Sequence, residues 1–410
     1  MSTTTLWTSS AVATPAVAKK FSRSALIVGL VGSLAASVGF FNGAANFMQA
    51  YLLGYLFWLC VTFGCLGWLM IHHIAARGGW GLIGRRIWEA GAANFPLMFV
   101  LGLPILLNLK ALYVWARPEA VAADKHLQYV TGAWLGVGAV WARYIGFFAV
   151  WMVMAFLLRR WSAEQDLPEN DGKPQPFNWI AAPGMVVFAL TTTFLVVDLC
   201  MSLDPAWSSS IYGLIFLASS GLACMAFTVI VTAALSQYQP MATLLTRTTL
   251  HDYGKWCFAI TMLWAYFSFS QWLIIWAGNL PEEIGFFMIR LQGGWQYASL
   301  FLALFGWALP WGLLLSQDIK KSTRTLVPIA CWIFFMRLFD VFWYVKPAWQ
   351  AGVHAGQPNL LGVSPWDLVM PIAIGGFWVG LFFWNLSQRP LLPLYAPFAT
   401  QVLEGEHGHD

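Results

Sequence analysis

Ten apolar segments of roughly 20 residues or more succeed one another along this chain, with approximate cores at 25–46, 51–74, 92–112, 131–158, 178–201, 211–235, 256–278, 294–316, 325–346 and 366–386. About 20 residues of helix cross the hydrocarbon core of a bilayer. Lipid cannot hydrogen-bond a backbone, so segments this long and apolar are expected as helices whose amides are satisfied internally. The predicted fold class is an all-α integral membrane protein with ten transmembrane helices. The third segment is the most interrupted, by Pro96, Pro104, Asn108 and Lys110. Composition agrees: 59% of the 410 residues are hydrophobic and only 10% charged, against about 25% charged in a soluble domain.

Orientation follows from where the basic residues fall. Ten spans put both termini on one side, and that side carries 15 of the 22 Lys and Arg, against five on the other, with Arg143 and Arg337 inside spans. The expected placement is a multi-pass protein of a bacterial inner membrane with both termini cytoplasmic. It comprises a tail over 1–24, a membrane domain over 25–386 and a tail over 387–410. The net charge of +4 is spread over short loops, which reads as topology rather than as a nucleic-acid footprint. Residues 161–177 form the longest polar connection and read as a solvated linker. Lys19, Lys20 and Arg23 precede a full-length apolar span with no small-residue cleavage site, which reads as an uncleaved first helix.

One span is unusually polar. Trp264–Glu283 carries Tyr266, Ser268, Ser270 and Gln271 near its middle. At about 100° per residue, Tyr266 and Ser270 share one face, and Ser268 and Gln271 a roughly opposite one. Polar groups on two faces predict a helix enclosed by other helices.

Ionisable residues at membrane depth are candidates for function. Arg143 is expected near the middle of the fourth span and Arg337 near the middle of the ninth, with Asp340 at i+3, where the two can pair. Asp198 follows Thr191, Thr192 and Thr193 toward the outer end of the fifth span. At a rise of about 1.5 Å per residue, Asp198 and Asp340 lie roughly 8–10 Å below the outer surface, so the outer half has room for a connected Asp–Arg set. Glu89 opens the third span, four residues after Arg85, where the helix dipole favours a carboxylate. His72 and His73 stand at a helix end and read as solvated. Structural readings stand beside the functional ones. An Arg–Asp pair can simply fix helix register, and Asp198 beside hydroxyls suits hydrogen bonding as well as proton transfer.

Other patterns exclude chemistry. The six cysteines form no CxxC or CxxCH, against a covalent haem, an iron–sulfur cluster or a structural zinc. None of the seven histidines lies mid-span, against axial ligation of a membrane haem. There is no HExxH, P-loop or dinucleotide fingerprint. His407 and His409 in the tail read as a polar end.

Three segments carry a resemblance: TTTFLVVDLCMSLDPAWSSSIYG (191–213), HDYGKWCFAITMLWAYFSFSQWLIIWAGNLPEE (251–283), and the Arg337–Asp340 span with its following WYVKPAW. With them the chain, over essentially its whole length, resembles the NrfD-like, polysulfide-reductase membrane-subunit family, in particular the F subunits of bacterial alternative complex III, a quinol:electron-acceptor oxidoreductase. The resemblance implies two four-helix bundles, spans 2–5 and 6–9, flanked by spans 1 and 10. It implies no redox cofactor in this chain, with haem c and iron–sulfur clusters in partner subunits and menaquinol or ubiquinol as substrate of the complex. The implied partners are a paralogous quinol-binding C subunit, an iron–sulfur B subunit, c-type cytochrome subunits and small membrane subunits within the bilayer. Asp198, Asp204, Trp207, Glu282 and Glu283 match the family pattern. Ala206 departs from it, standing where the family often has His, so an outer-face role needing that imidazole is left open.

The expectation is therefore a non-catalytic subunit of a respiratory quinol-oxidising, cytochrome-reducing complex, a scaffold with a candidate proton path. Asp198, Arg337 and Asp340 would form its outer half, Arg143, Tyr266 and Gln271 its centre, and Glu89 or His72 its inner end. Asp204, Glu282 and Glu283 would serve the periplasmic face. Two alternatives stand: quinol binding by this chain itself, and a stand-alone secondary transporter.

Overall fold

A computed structural model describes residues 14, 16–41, 46–75, 79–353, 359–393 and 395–396, with side chains left aside at 351–353. Arg77 and the Glu404–Asp410 tail with His407 and His409 lie outside the described residues. Among the described residues, ten helices are long and apolar enough to cross a membrane: α1 (Val17–Phe41), α2 (Phe47–Ala75), α3 (Gly79–Leu107), α4 (Lys125–Glu164), α5 (Phe177–Leu203), α6 (Tyr212–Leu235), α7 (Arg247–Gly278), α8 (Trp295–Leu315), α9 (Thr323–Gln350) and α10 (Trp366–Leu386).

The centre is α2 and α6. Nearly the whole of α2 is buried, and it packs on α3, α5, α6, α9 and α10. The close approach of α2 to α6 requires Gly64, where a Cβ would stand 2.2 Å from the Ser220 carbonyl oxygen. Around this axis α2 touches α3, α3 touches α4, α4 touches α5 and α5 returns to α2. In the same way α6, α7, α8 and α9 contact one another in a closed series. α1 lies against α10 on the outside, and Gly376 makes that seam possible, since a Cβ there would meet the Gly29 backbone nitrogen at 2.2 Å.

Two elements depart from the sequence reading. α3 begins 13 residues before the expected 92, and it bends at Asn94–Pro96, where Asn94 lacks a side-chain cap but donates to the Trp378 carbonyl at 2.9 Å. Charge hid its start: Arg85, Arg86 and Glu89 pair inside the helix, so the polar stretch continues the span instead of preceding it. α7 is not enclosed either. Gln271 is buried, but Tyr266 is 63% exposed, as are Phe269, Ile274 and Trp276. The inward polar face, Ser268 and Gln271, meets α8 and α9, whereas Tyr266 borders the same space but stays largely exposed.

In α9, Pro347 has no amide to bond the Trp343 carbonyl. Arg290 supplies the missing donor, Nε to Trp343 O at 3.3 Å, and also donates from Nη2 to Tyr344 O at 3.1 Å and from Nη1 to Phe286 O at 2.7 Å. Its guanidinium also lies over the Phe286 and Trp343 rings, at 3.6 and 4.7 Å. Removal from water holds that guanidinium down at about 10.

Candidate functional site

Among the described residues, most charge at depth is gathered into four clusters. The first joins α4 and α5. α4 is broken at Trp134, between the helices Lys125–Ala133 and Val137–Glu164, so Arg143 stands near the start of the long piece, not at mid-span. From there Arg143 reaches Asp198 bidentately, Nε to Oδ2 at 2.7 Å and Nη2 to Oδ1 at 2.8 Å. The break also presents the Trp134 carbonyl to Arg143 Nη2 at 3.0 Å and the Trp134 indole to Asp198 Oδ1 at 2.8 Å. The guanidinium lies 4.1 Å from the indole centroid. Asp198 is fully buried.

A second unit of the same composition lies among α6, α7 and α9. Arg337 Nη1 donates to Asp340 Oδ2 at 3.1 Å, one turn apart on α9. Trp264 Nε1 donates to the same oxygen at 3.1 Å, and Ser219 Oγ at 3.0 Å. Arg337 again sits 4.1 Å from an indole centroid, that of Trp264. Each unit is a Trp–Arg–Asp trio in which the indole both stacks on the cation and donates to the anion. The expected single Asp–Arg set is therefore resolved into two separate pairs, and Arg143 belongs to Asp198. Each aspartate prefers the arginine whose fork it can meet directly.

The third cluster lies toward the end where α1 begins. Glu89 accepts from Arg85 Nε at 3.0 Å and from Arg86 Nη1 at 2.7 Å, and Arg389 Nη1 stands 3.6 Å away. Ser162 donates to Glu89, and Asp166 pairs with Arg86. The reading of Glu89 as a helix-start carboxylate is corrected: it lies in the last turn of Gly79–Ala92 and is held by cations rather than by the dipole. The 161–177 segment is likewise more than a solvated linker, since Asp166 closes this cluster. Burial pushes the Asp166 carboxyl up despite Arg86. His72 and His73 are half-buried, less solvated than expected. His72 Nδ1 and His73 Nε2 are buried without hydrogen bonds, and the His73 ring stacks on Phe177 at 3.8 Å.

The fourth pair, Lys346–Asp367 at 2.8 Å, joins α9 to α10 and is buried on both sides. Neither Lys346 nor Asp367 was singled out from the sequence. Trp134 and Ser219 were also missed, whereas the Arg337–Asp340 and Arg85–Glu89 spacings each carried a signal for their clusters. Among the predicted face residues, Glu282 and Glu283 occupy the first turn of a short helix, Pro281–Met288, where the dipole favours them. Asp204 is half-buried, and burial pushes its carboxyl up while Arg290 pulls it down. Neither it nor the two glutamates contacts the Asp198 or Asp340 units by any hydrogen bond found among the described residues.

A cavity of about 530 Å³ lies between α7, α8 and α9, and Gln271, Asp340 and Tyr266 line it. Among the described residues no group of three His, Cys, Asp or Glu side chains could hold a metal ion. No protein-family model matches the chain, and no curated protein matches it.

Proposed function

We propose that this chain is a non-catalytic integral membrane subunit of a respiratory quinol-oxidising, cytochrome-reducing complex of the alternative complex III kind. In this reading it serves as a scaffold and offers a route for protons. Electron transfer belongs to partners: an iron–sulfur subunit, c-type cytochromes and a paralogous quinol-binding membrane subunit. Its bacterial inner-membrane setting, with both termini cytoplasmic, is part of the same proposal.

The observation that carries the reading is the repetition of one buried unit. A Trp–Arg–Asp trio occurs in the α2–α5 group and again in the α6–α9 group, and the helix contacts within each group are those two four-helix bundles require. Buried ion pairs are costly to desolvate and contribute little net stability over an apolar core. Keeping one in each half of a membrane domain favours a role that needs ionisable groups at depth. The Glu89 cluster supplies such groups toward the opposite end.

Asp198→Asn and Asp340→Asn test this in the intact complex, reconstituted into proteoliposomes. The reading expects quinol oxidation to continue while protons released per electron fall in at least one variant. If both quantities match wild type, the chain conducts no protons through these groups and the scaffold role stands alone.

A further inference from the structure

The cavity between α7, α8 and α9 has features that neither a scaffold nor a proton route requires. Its walls are mostly apolar, with Met262, Phe269, Phe287, Leu302 and Ala303 among them. Yet four of the lining residues hold buried polar atoms without a hydrogen bond: Ser268 Oγ, Gln271 Nε2, Trp307 Nε1 and Asp340 Oδ1. Gln271 and Asp340 are 3% and 2% exposed. The asymmetry at Asp340 is informative. Arg337, Trp264 and Ser219 all donate to Oδ2, and Oδ1 receives nothing. A buried polar atom left unsatisfied costs about 1–3 kcal/mol, and four around one space point to an occupant.

The backbone beside them is shaped for the same purpose. Residues Leu302–Ala308 of α8 form a π-helical stretch, a rare conformation frequent at functional sites. Its carbonyls are met from α9, Phe305 O by Trp332 Nε1 at 2.8 Å and Gly306 O by Arg337 Nη2 at 3.4 Å. The widened turn puts Leu302, Ala303 and Trp307 on the cavity wall, opposite Gln271 and Asp340.

We infer that this cavity binds one lipid-soluble, uncharged amphiphile whose small head both accepts and donates hydrogen bonds. Gln271 Nε2 and Trp307 Nε1 are donors and need an acceptor. Asp340 Oδ1 is an acceptor and needs a donor. A hydroxyl beside a carbonyl or ether oxygen meets both. The head carries no net charge, because Arg337 already neutralises Asp340 and no other charged side chain lines the space. A phosphate head would lie at depth without a counter-ion. Water alone is a poor occupant of so apolar a chamber. A glycerolipid lacking phosphate and a hydroquinone share this chemistry. The inference goes beyond the proposed function and stands or falls without it.

The test is titration of the full chain with dioleoylglycerol and with decylubiquinol, followed by native mass spectrometry after release from micelles, with squalene as a head-free control. One of the two probes is expected to saturate at one copy per chain, and the probe that does so identifies the source. Gln271→Met keeps the volume, removes the amide and is expected to weaken that binding about 10-fold. Ala303→Trp fills the chamber and is expected to abolish it. Thermal stability checks the fold of each variant, and Gln271→Met alone suffices if Ala303→Trp unfolds. The inference is overturned if neither probe saturates a single site, if a folded Gln271→Met binds like wild type, or if squalene competes equally.

Discussion

Asp198→Asn should destabilise this protein less than Asp340→Asn, although both remove one carboxylate from a buried arginine. The asparagine keeps the shape and a hydrogen bond to the indole in each case, so the comparison isolates charge. A unit pair about 4 Å apart is worth about 4 kcal/mol at an effective dielectric of about 20. Leaving one partner buried and unpaired costs about 3–5 kcal/mol. Arg337 and Asp340 are both almost inaccessible, at 1% and 2%, so Asp340→Asn should fall in that range. Arg143 retains 17% of its side-chain surface and keeps the Trp134 carbonyl as an acceptor. Partial solvation should reduce the cost of Asp198→Asn to about 2–3 kcal/mol. Replacing both members, Arg143→Leu with Asp198→Leu, should come within about 1 kcal/mol of wild type, since an apolar pair removes the orphan together with the bond. Equilibrium unfolding of the purified chain in mixed micelles measures all of these. The reasoning is refuted if Asp198→Asn costs as much as Asp340→Asn, or if the double variant is as unstable as the single one.

Other outcomes follow from the same geometry. Glu89→Gln leaves Arg85, Arg86 and Arg389 without their shared carboxylate and should cost about 3–5 kcal/mol; Asp166→Asn, where burial already disfavours the carboxylate, should leave stability at neutral pH unchanged or slightly higher, as the same unfolding assay would read. Gly376→Val drives a side chain into the Gly29 backbone and should cost at least about 3 kcal/mol, seen as new protease cleavage in α1. Burial raises the Asp204 carboxyl, so its contribution to stability is present below the unfolded value near pH 4 and is lost as pH rises through the folded one. Asp204→Asn should therefore raise the melting temperature by about 1–2 °C at pH 7.5 and leave it unchanged at pH 4.

Much of the fold was legible because membrane spans announce themselves by length and hydropathy. The ten segments are found as ten helices, and the largest boundary error, the start of α3, lies where charges pair within the protein. Arg85, Arg86 and Glu89 looked like the end of a loop because hydropathy counts each charge singly, while in the structure these charges are paired. The Arg337–Asp340 pair was readable because its partners are one turn apart. Arg143–Asp198 was not, since its members come from different helices and the break at Trp134 that aims them has no sequence signature beyond an ordinary Gly136. Lys346–Asp367 was hidden for the same reason. The polarity of α7 was read correctly as two faces, but periodicity cannot say what lies outside a face. Only packing shows that Gln271 is buried and Tyr266 largely exposed.

The central claim is membership of a quinol-oxidising, haem-bearing assembly, and purification of the tagged chain from its native membranes in mild detergent tests it most directly. The account predicts a single large complex that contains c-type haem by its pyridine haemochrome spectrum, an iron–sulfur signal by electron paramagnetic resonance, and quinol-dependent cytochrome reduction. A homogeneous, haem-free chain that purifies alone and moves a solute in liposomes would contradict it and favour a transporter.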